Sequence, residues 1–332
     1  MDSQKILNQI EEANPNAVLN LNNGTAELLP SDDSAIVYNP LLEGSIEEAQ
    51  RNSSAIEVDI NTEKLPIHIH IKDTYKLSPK AFALSRRNGF GASDSSVLLG
   101  VNPYNKLDEL IKQKATTELS EEEQKIGRLV SVRKGNDLEP LIIMKASKVL
   151  GKMILKPPSM YKFTDIPYLN INFDGVINTP EQYIPCEIKL CTQYGEKHYN
   201  FNKAIYNEDK GFNAPPTDVS NTIDSIIQKA AHYGVPPYYY TQCQQEMMGL
   251  QAPFGYLAVL SDKNWLLHIF MIYRDKAVQQ QLIVQGGKAW NQVEQLRTSK
   301  GLSDSSFLVP SVTDTKTKSL KINESQTSSE DY

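Results

Sequence analysis

Tyr168-Leu-Asn-Ile-Asn-Phe-Asp-Gly-Val-Ile177 and, past the Asn178-Thr-Pro180 turn, Ile184-Pro-Cys-Glu-Ile-Lys-Leu190 decide the reading of this chain. Strand side chains alternate between faces. Leu169, Ile171, Phe173 and Ile177 therefore share one face of the first segment, and Asn170, Asn172 and Asp174 the other. In the second segment Ile184, Cys186, Ile188 and Leu190 point one way, Glu187 and Lys189 the other. If the segments pair as a hairpin, Asp174, Glu187 and Lys189 converge, giving two carboxylates for a hard cation and an ammonium beside them. Taken singly, Asp-Gly is also a turn signal and Glu-x-Lys on a strand face is also an ordinary solvated pair.

Working outward, helices are expected at 91–100, 108–119 and 127–150, and strands at 152–163, 168–178 and 184–190. An irregular insertion near 205–220 precedes helices at 222–233 and 238–250, strands at 254–261 and 264–273, and a helix at 275–298. This order predicts an α/β (α+β) fold with one mixed sheet. In Gly135-Asn-Asp-Leu-Glu-Pro-Leu-Ile-Ile143, Glu139 shares a helical face with Ile142, Ile143 and Ala146, where a charge needs a partner such as a metal. Alternatively, Asp137 and Glu139 enrich the first turn of a helix that opens at Pro140.

Three divisions are expected: an acidic arm over 1–80 with a β-hairpin at 56–71, a core domain over 81–300, and a disordered polar tail over 301–332. His68 and His70 fall on one face of the second hairpin strand, as two metal ligands do and as a solvated strand face also does. With 40% hydrophobic and 22% charged residues, the 332-residue chain is ordinary globular material, which excludes collagen-like and wholly disordered classes. Three cysteines exclude a disulfide scaffold and fall short of a four-thiolate cage.

The start of the chain lacks a secretory pattern and no apolar run approaches the ~20 residues of a membrane span, so a cytoplasmic protein without a membrane partner is expected. The net charge of −6 argues against a nucleic-acid partner only when taken whole. Residues 1–70 hold 3 basic and 12 acidic side chains. Residues 71–332 hold 31 against 28, and 71–302 alone reach +5.

Arg87-Asn-Gly-Phe-Gly-Ala-Ser-Asp94, Leu99-Gly-Val-Asn-Pro-Tyr104, Gly135-x-x-x-Glu139-Pro, Phe173-Asp-Gly175, Glu187-Ile-Lys189 and Pro236-Pro-Tyr-Tyr-Tyr-Thr-Gln242-Cys-Gln244 occur in this order. Together, over roughly residues 82–298, they resemble the YqaJ-type viral recombinases, the phage lambda exonuclease-like branch of the PD-(D/E)xK nucleases. The resemblance implies a PD-(D/E)xK restriction-endonuclease-like core, a central mixed β-sheet flanked by helices. It implies one or two Mg²⁺ (or Mn²⁺) ions on Asp174, Glu187, the Ile188 carbonyl and Glu139. Lys189 and Gln242 would orient the attacking water, and Tyr239 would support the site.

Arg87 and Ser93 fall where the family holds a 5′-phosphate, and Ser93 is expected to open a helix whose amides favour an anion. Asn172 replaces a serine that contacts the DNA end in the lambda enzyme. The implied activity is a 5′→3′ exonuclease on the ends of double-stranded DNA, working as a trimeric homo-oligomer with a single-strand annealing protein. Two rivals remain at this point, a restriction-like or repair endonuclease and a non-catalytic DNA- or partner-binding phage protein.

Overall fold

The computed structural model describes residues 18–22, 25–29, 58–121, 123, 130–214 and 226–307. Strands β1 (Val18–Asn22) and β2 (Thr25–Leu29) form an antiparallel pair. They are followed by β3 (Ile67–Ile71), α1 (Pro79–Ser85), α2 (Ser95–Leu98), α3 (Leu107–Lys114) and α4 (Val130–Leu150). Then come β4 (Ile154–Leu155), β5 (Met160–Phe163), β6 (Asn170–Ile171), β7 (Val176–Asn178), β8 (Tyr183–Cys191), β9 (Tyr206–Asn207) and β10 (Gly211–Phe212). The series ends with α5 (Ile226–Tyr233), α6 (Pro237–Leu250), β11 (Phe254–Ser261), β12 (Leu267–Tyr273) and α7 (Lys276–Ser299).

Seven strands in the order β10-β9-β12-β11-β8-β7-β4 make the central sheet. β8 and β11 run parallel and the other neighbours antiparallel, so the sheet is mixed, as the element order predicts. β11 and β12 read as nearly unbroken apolar runs because both faces of the sheet are covered. On one side Leu138, Ile142 and Ala146 of α4 pack with Ile184, Cys186, Ile188, Ala258 and Ile269. On the other, Cys243 and Met247 of α6 join Phe173, Val176, Leu257, Val259 and Phe270.

Residues 154–178 form one ribbon shared between two sheets. β4 and β7 pair in the central sheet, whereas β5 and β6 pair in a second sheet of order β3-β5-β6. The expected strands 152–163 and 168–178 are thus each cut in two, at Lys156-Pro-Pro-Ser159 and at Asn172-Phe-Asp-Gly175. Two prolines remove two ladder donors from one arm. Opposite them, a Cβ on Gly175 would stand 2.5 Å from Ile154 Cγ2, so the arms close at this level only around glycine. Asp174 sits at the bend because the ladder stops there.

The expected 56–71 hairpin does not form within the described residues. Residues 58–60 are not a strand, and β3 pairs antiparallel with β5, whose Phe163 and Tyr161 are the register partners of Ile67 and Ile69. Long-range burial decides this pairing: Ile67 is buried beside Tyr161 and Phe163 in the core, a gain that a local hairpin does not offer. The insertion contributes β9 and β10, a small hairpin that extends the sheet edge beyond β12. The tail expectation is corrected at its start, since Phe307 is buried, its carbonyl accepts a hydrogen bond from Asn88 Nδ2, and its ring packs 3.7 Å from the Arg297 guanidinium. Residues 308–332 lie outside the described residues.

Candidate active site

β8 outruns its neighbour β7. The ladder ends at Val176 opposite Pro185, with Cys186 N donating to Gly175 O at 2.9 Å. Two residues on, the Ile188 edge meets no strand, and Asp174 Oδ2 fills the place by accepting the Ile188 amide at 3.3 Å. An extended residue turns its N–H and C=O the same way, so the Ile188 carbonyl also lies on the Asp174 side. The same Oδ2 accepts Lys189 Nζ at 3.2 Å, and Lys189 also contacts Glu187. Asp174, Glu187 and Lys189 therefore meet, through a bent ribbon rather than the regular hairpin that alternation suggests.

Alternation puts Glu187 opposite Ile188, but that face is covered by α6, and Glu187 is 0% exposed. Gln242, also buried, donates Nε2 to Glu187 Oε1 at 2.5 Å and lies 3.4 Å from Glu246 Oε1. Tyr239, one turn earlier on α6, sets its ring 5.5 Å from Lys189 Nζ. α6 is buried along almost all its length, and the N–H groups of its other amides go to backbone carbonyls. Gln244 bonds Tyr273 O and Asp275 N, and Gln245 bonds Phe90 O and Asn170 O. Only the Gln242 and Glu246 face turns to the carboxylates.

Acids outnumber bases here. Burial, then the charges of Asp174 and Glu246, pushes Glu187 well above the ordinary carboxylate range despite Lys189. Burial also raises Glu246 to about 7. For Asp174 burial works the same way and is the largest single influence, but Lys189, a hydrogen bond with Glu187 and the charge of Lys156 together outweigh it and hold the carboxyl below its usual value. Lys189 is raised well above the ordinary ammonium range, because Asp174 and Glu187 overcome its burial.

Glu139 stands in the interior of α4, with Pro140 inside the helix rather than at its first position. The reading of Glu139 as a first-turn acid is therefore corrected. Its carboxylate contacts Lys156, from the bend, and burial together with Asp174 raises its pKa.

Among the described residues, no three His, Cys, Asp or Glu side chains converge as a ready metal cage. The carboxylates rest on Lys189 and Lys156 instead. The donor set nonetheless fits a hard divalent cation. Glu187 Oε2 is buried with no hydrogen-bond partner, three neighbouring acids repel one another, and all the donors are oxygen. His68 and His70 add nothing to this site. His68 is exposed opposite Lys162, and burial followed by the Lys162 charge lowers His70 to about 4.

The residues expected at a terminal phosphate divide. Arg87 is buried, and its Nη2 reaches both Glu123 oxygens at 2.6 and 2.8 Å. The guanidinium at Ser93 belongs to Arg86, whose Nη2 donates to Ser93 Oγ at 2.7 Å. The chain turns through a 3₁₀ segment at Arg86–Asn88, which sends the two adjacent arginines in different directions. Ser93 is exposed within the 3₁₀ turn Ala92–Asp94, ahead of a helix of only four residues, so the expected helix N-terminus at Ser93 is replaced by a turn. Asn172 is half-buried at the bend, two residues before Asp174.

Sequence reasoning missed Glu246, Lys156 and Arg86. Glu246 lies at i+4 from Gln242, a spacing that puts both on one helix face and was available in the sequence. Lys156 carries no such signal, because its position depends on the ribbon bend.

A family model described as the YqaJ-like viral recombinase domain matches residues 81–249. That span holds every site residue above, from Arg86 to Glu246. No curated protein matches the chain. An alkaline exonuclease from Laribacter hongkongensis aligns with a TM-score of 0.43 and 16% identity, over 68% of this chain and 98% of its own. The same enzyme in complex with dAMP aligns with a TM-score of 0.42 and 15% identity, over the same shares. The match over half of the chain, in a mixed sheet whose bend gathers Asp174, Glu187 and Lys189, makes this chain a member of the YqaJ-like viral recombinase family.

Proposed function

We propose that the protein is a metal-dependent exonuclease that hydrolyses linear double-stranded DNA from 5′ ends and leaves 3′ single strands for recombination by annealing. The observation that carries this reading is Glu187: fully buried, in contact with one lysine, with one oxygen unpartnered beside further acids. A Mg²⁺ or Mn²⁺ ion held by Asp174, Glu187, the Ile188 carbonyl and Glu139 would supply a water of lowered pKa and a polarised phosphate.

The chain's own groups do the rest. Lys189 keeps its proton across the neutral range, since its pKa is raised, and so presents fixed positive charge to a phosphate. Gln242 spends its amide N–H on carboxylates, which leaves its carbonyl to accept from a water. Arg86 with Ser93 forms an exposed guanidinium–hydroxyl pair suited to a terminal phosphate, and it takes the place first assigned to Arg87.

The test is incubation of the full chain with linear duplex in Mg²⁺, with and without a 5′-phosphate, beside a closed circular control. Expected are loss of the phosphorylated linear form first, persistence of the circle, and no reaction in excess chelator. Circles cut as fast as linear DNA would favour a restriction-like endonuclease, and activity in chelator would reject the metal mechanism.

A further inference from the structure

The motif Leu99-Gly-Val-Asn-Pro-Tyr104 has no part in the chemistry above, yet its tyrosine is held in a defined place. Asn102 donates its amide to Ser96 Oγ at 2.8 Å, while its Oδ1 accepts the backbone N–H of Tyr104 at 2.8 Å and of Asn105 at 2.9 Å. This Asx turn, anchored on a buried serine, presents a Tyr104 ring that is 68% exposed.

Tyr104 is the outer end of a run of rings that leads to the site. Its centroid lies 5.9 Å from that of Tyr238, which lies 4.6 Å from that of Tyr239, whose ring is in turn 5.5 Å from Lys189 Nζ. Tyr238 and Tyr239 occupy the first turn of α6 behind Pro236 and Pro237, where proline at the first helical position fixes the backbone. Joined end to end, these separations keep Tyr104 within about 16 Å of Lys189, a few nucleotides of a single strand.

Resting on the nuclease reading above, we infer that Tyr104, backed by Tyr238 and Tyr239, is a stacking platform for an unpaired base of the strand being cut. A phosphodiester can approach a carboxylate as enclosed as Glu187 only if its strand leaves the duplex, as other enzymes extrude a base to reach it. Unpairing exposes the flat face of a base to water. An exposed, pre-oriented tyrosine ring covers that face whatever the base identity, as an enzyme that digests any sequence requires.

The test uses the full-length protein in chelator, so that the DNA is bound but intact, with 2-aminopurine placed two or three nucleotides from a 5′-phosphorylated end. Wild type is expected to quench the probe there and not at the centre of the duplex. Tyr104→Ala should weaken that quenching by about fivefold or more, Tyr104→Trp should retain it, and Tyr104→Leu should behave like alanine. Quenching in Tyr104→Ala or Tyr104→Leu equal to wild type overturns the platform. A wild-type protein that binds and quenches but leaves linear duplex intact in Mg²⁺ overturns the nuclease reading alone.

Discussion

Two charged clusters lie within the same domain, and they are built on opposite principles. Around Arg87 opposite charges meet in pairs: Arg87 with Glu123, and Lys114 with Asp94 at 2.7 Å, while Arg297 donates to the carbonyls of Arg87 and Lys114. Around Glu187 four acids, Glu139, Asp174, Glu187 and Glu246, share Lys156 and Lys189, and one buried oxygen has no partner. Opposite charges in direct contact mark the first as a brace between the 3₁₀ segment Arg86–Asn88, α3 and α7. A surplus of carboxyl groups held in a dry setting marks the second as a place for a cation and a phosphate.

The comparison breaks most sharply if the second cluster is dispensable. Asp174→Ala and Lys189→Ala should each lower Mg²⁺-dependent degradation of linear duplex by about a hundredfold to a thousandfold or more, and Asp174→Ala, which relieves repulsion among the acids, should leave the thermal transition little changed. Initial rates on a phosphorylated duplex, beside a melting curve, check both halves. The brace should respond in the reverse way. Arg87→Ala takes the guanidinium from Glu123, which keeps Gln113 and the Ser120 amide, and is expected to cost about 1.5–3 kcal/mol of stability, measured by urea unfolding. An Arg87→Ala protein as stable as wild type would show that the pair is not a brace.

Acidity sharpens the contrast. Glu139, Glu187 and Glu246 are raised carboxylates, so between their unfolded values near 4.5 and the folded values the native state holds more protons than the unfolded chain. Metal-free protein should therefore lose stability as pH rises from about 4.5 through 7, the window set by Glu246. Glu246→Gln should flatten that slope, as read from urea midpoints in chelator. Asp174 and Asp94, both lowered, act the other way and only at acid pH. The smallest expected effect is at Arg86. Arg86→Ala should reduce the preference for 5′-phosphorylated over unphosphorylated ends by about tenfold, leaving unfolding unchanged.

Much of the central sheet was readable because β8, β11 and β12 carry their own patterns, and α6 and α7 end within a residue of where periodicity places them. Adjacent arginines defeated the same reasoning. Arg86 and Arg87 are chemically identical, and only the 3₁₀ turn decides which one meets Ser93 and which one meets Glu123. Alternation likewise separated Glu187 from the apolar face without revealing that the opposite face is also closed.

The sequence by itself determined that Glu187 and Lys189 share a strand face, that Asp174 precedes them beside a glycine, and that Gln242 and Glu246 share a helix face. These are consequences of periods of 2 and 3.6 residues, which are local. The tertiary structure alone decided that the ribbon changes sheets at Asp174, that α6 seals Glu187 from water, and that Lys156 reaches Glu139. Those outcomes depend on which distant surfaces bury one another, and the burial of charge that gives this site its electrostatics exists only once they have done so.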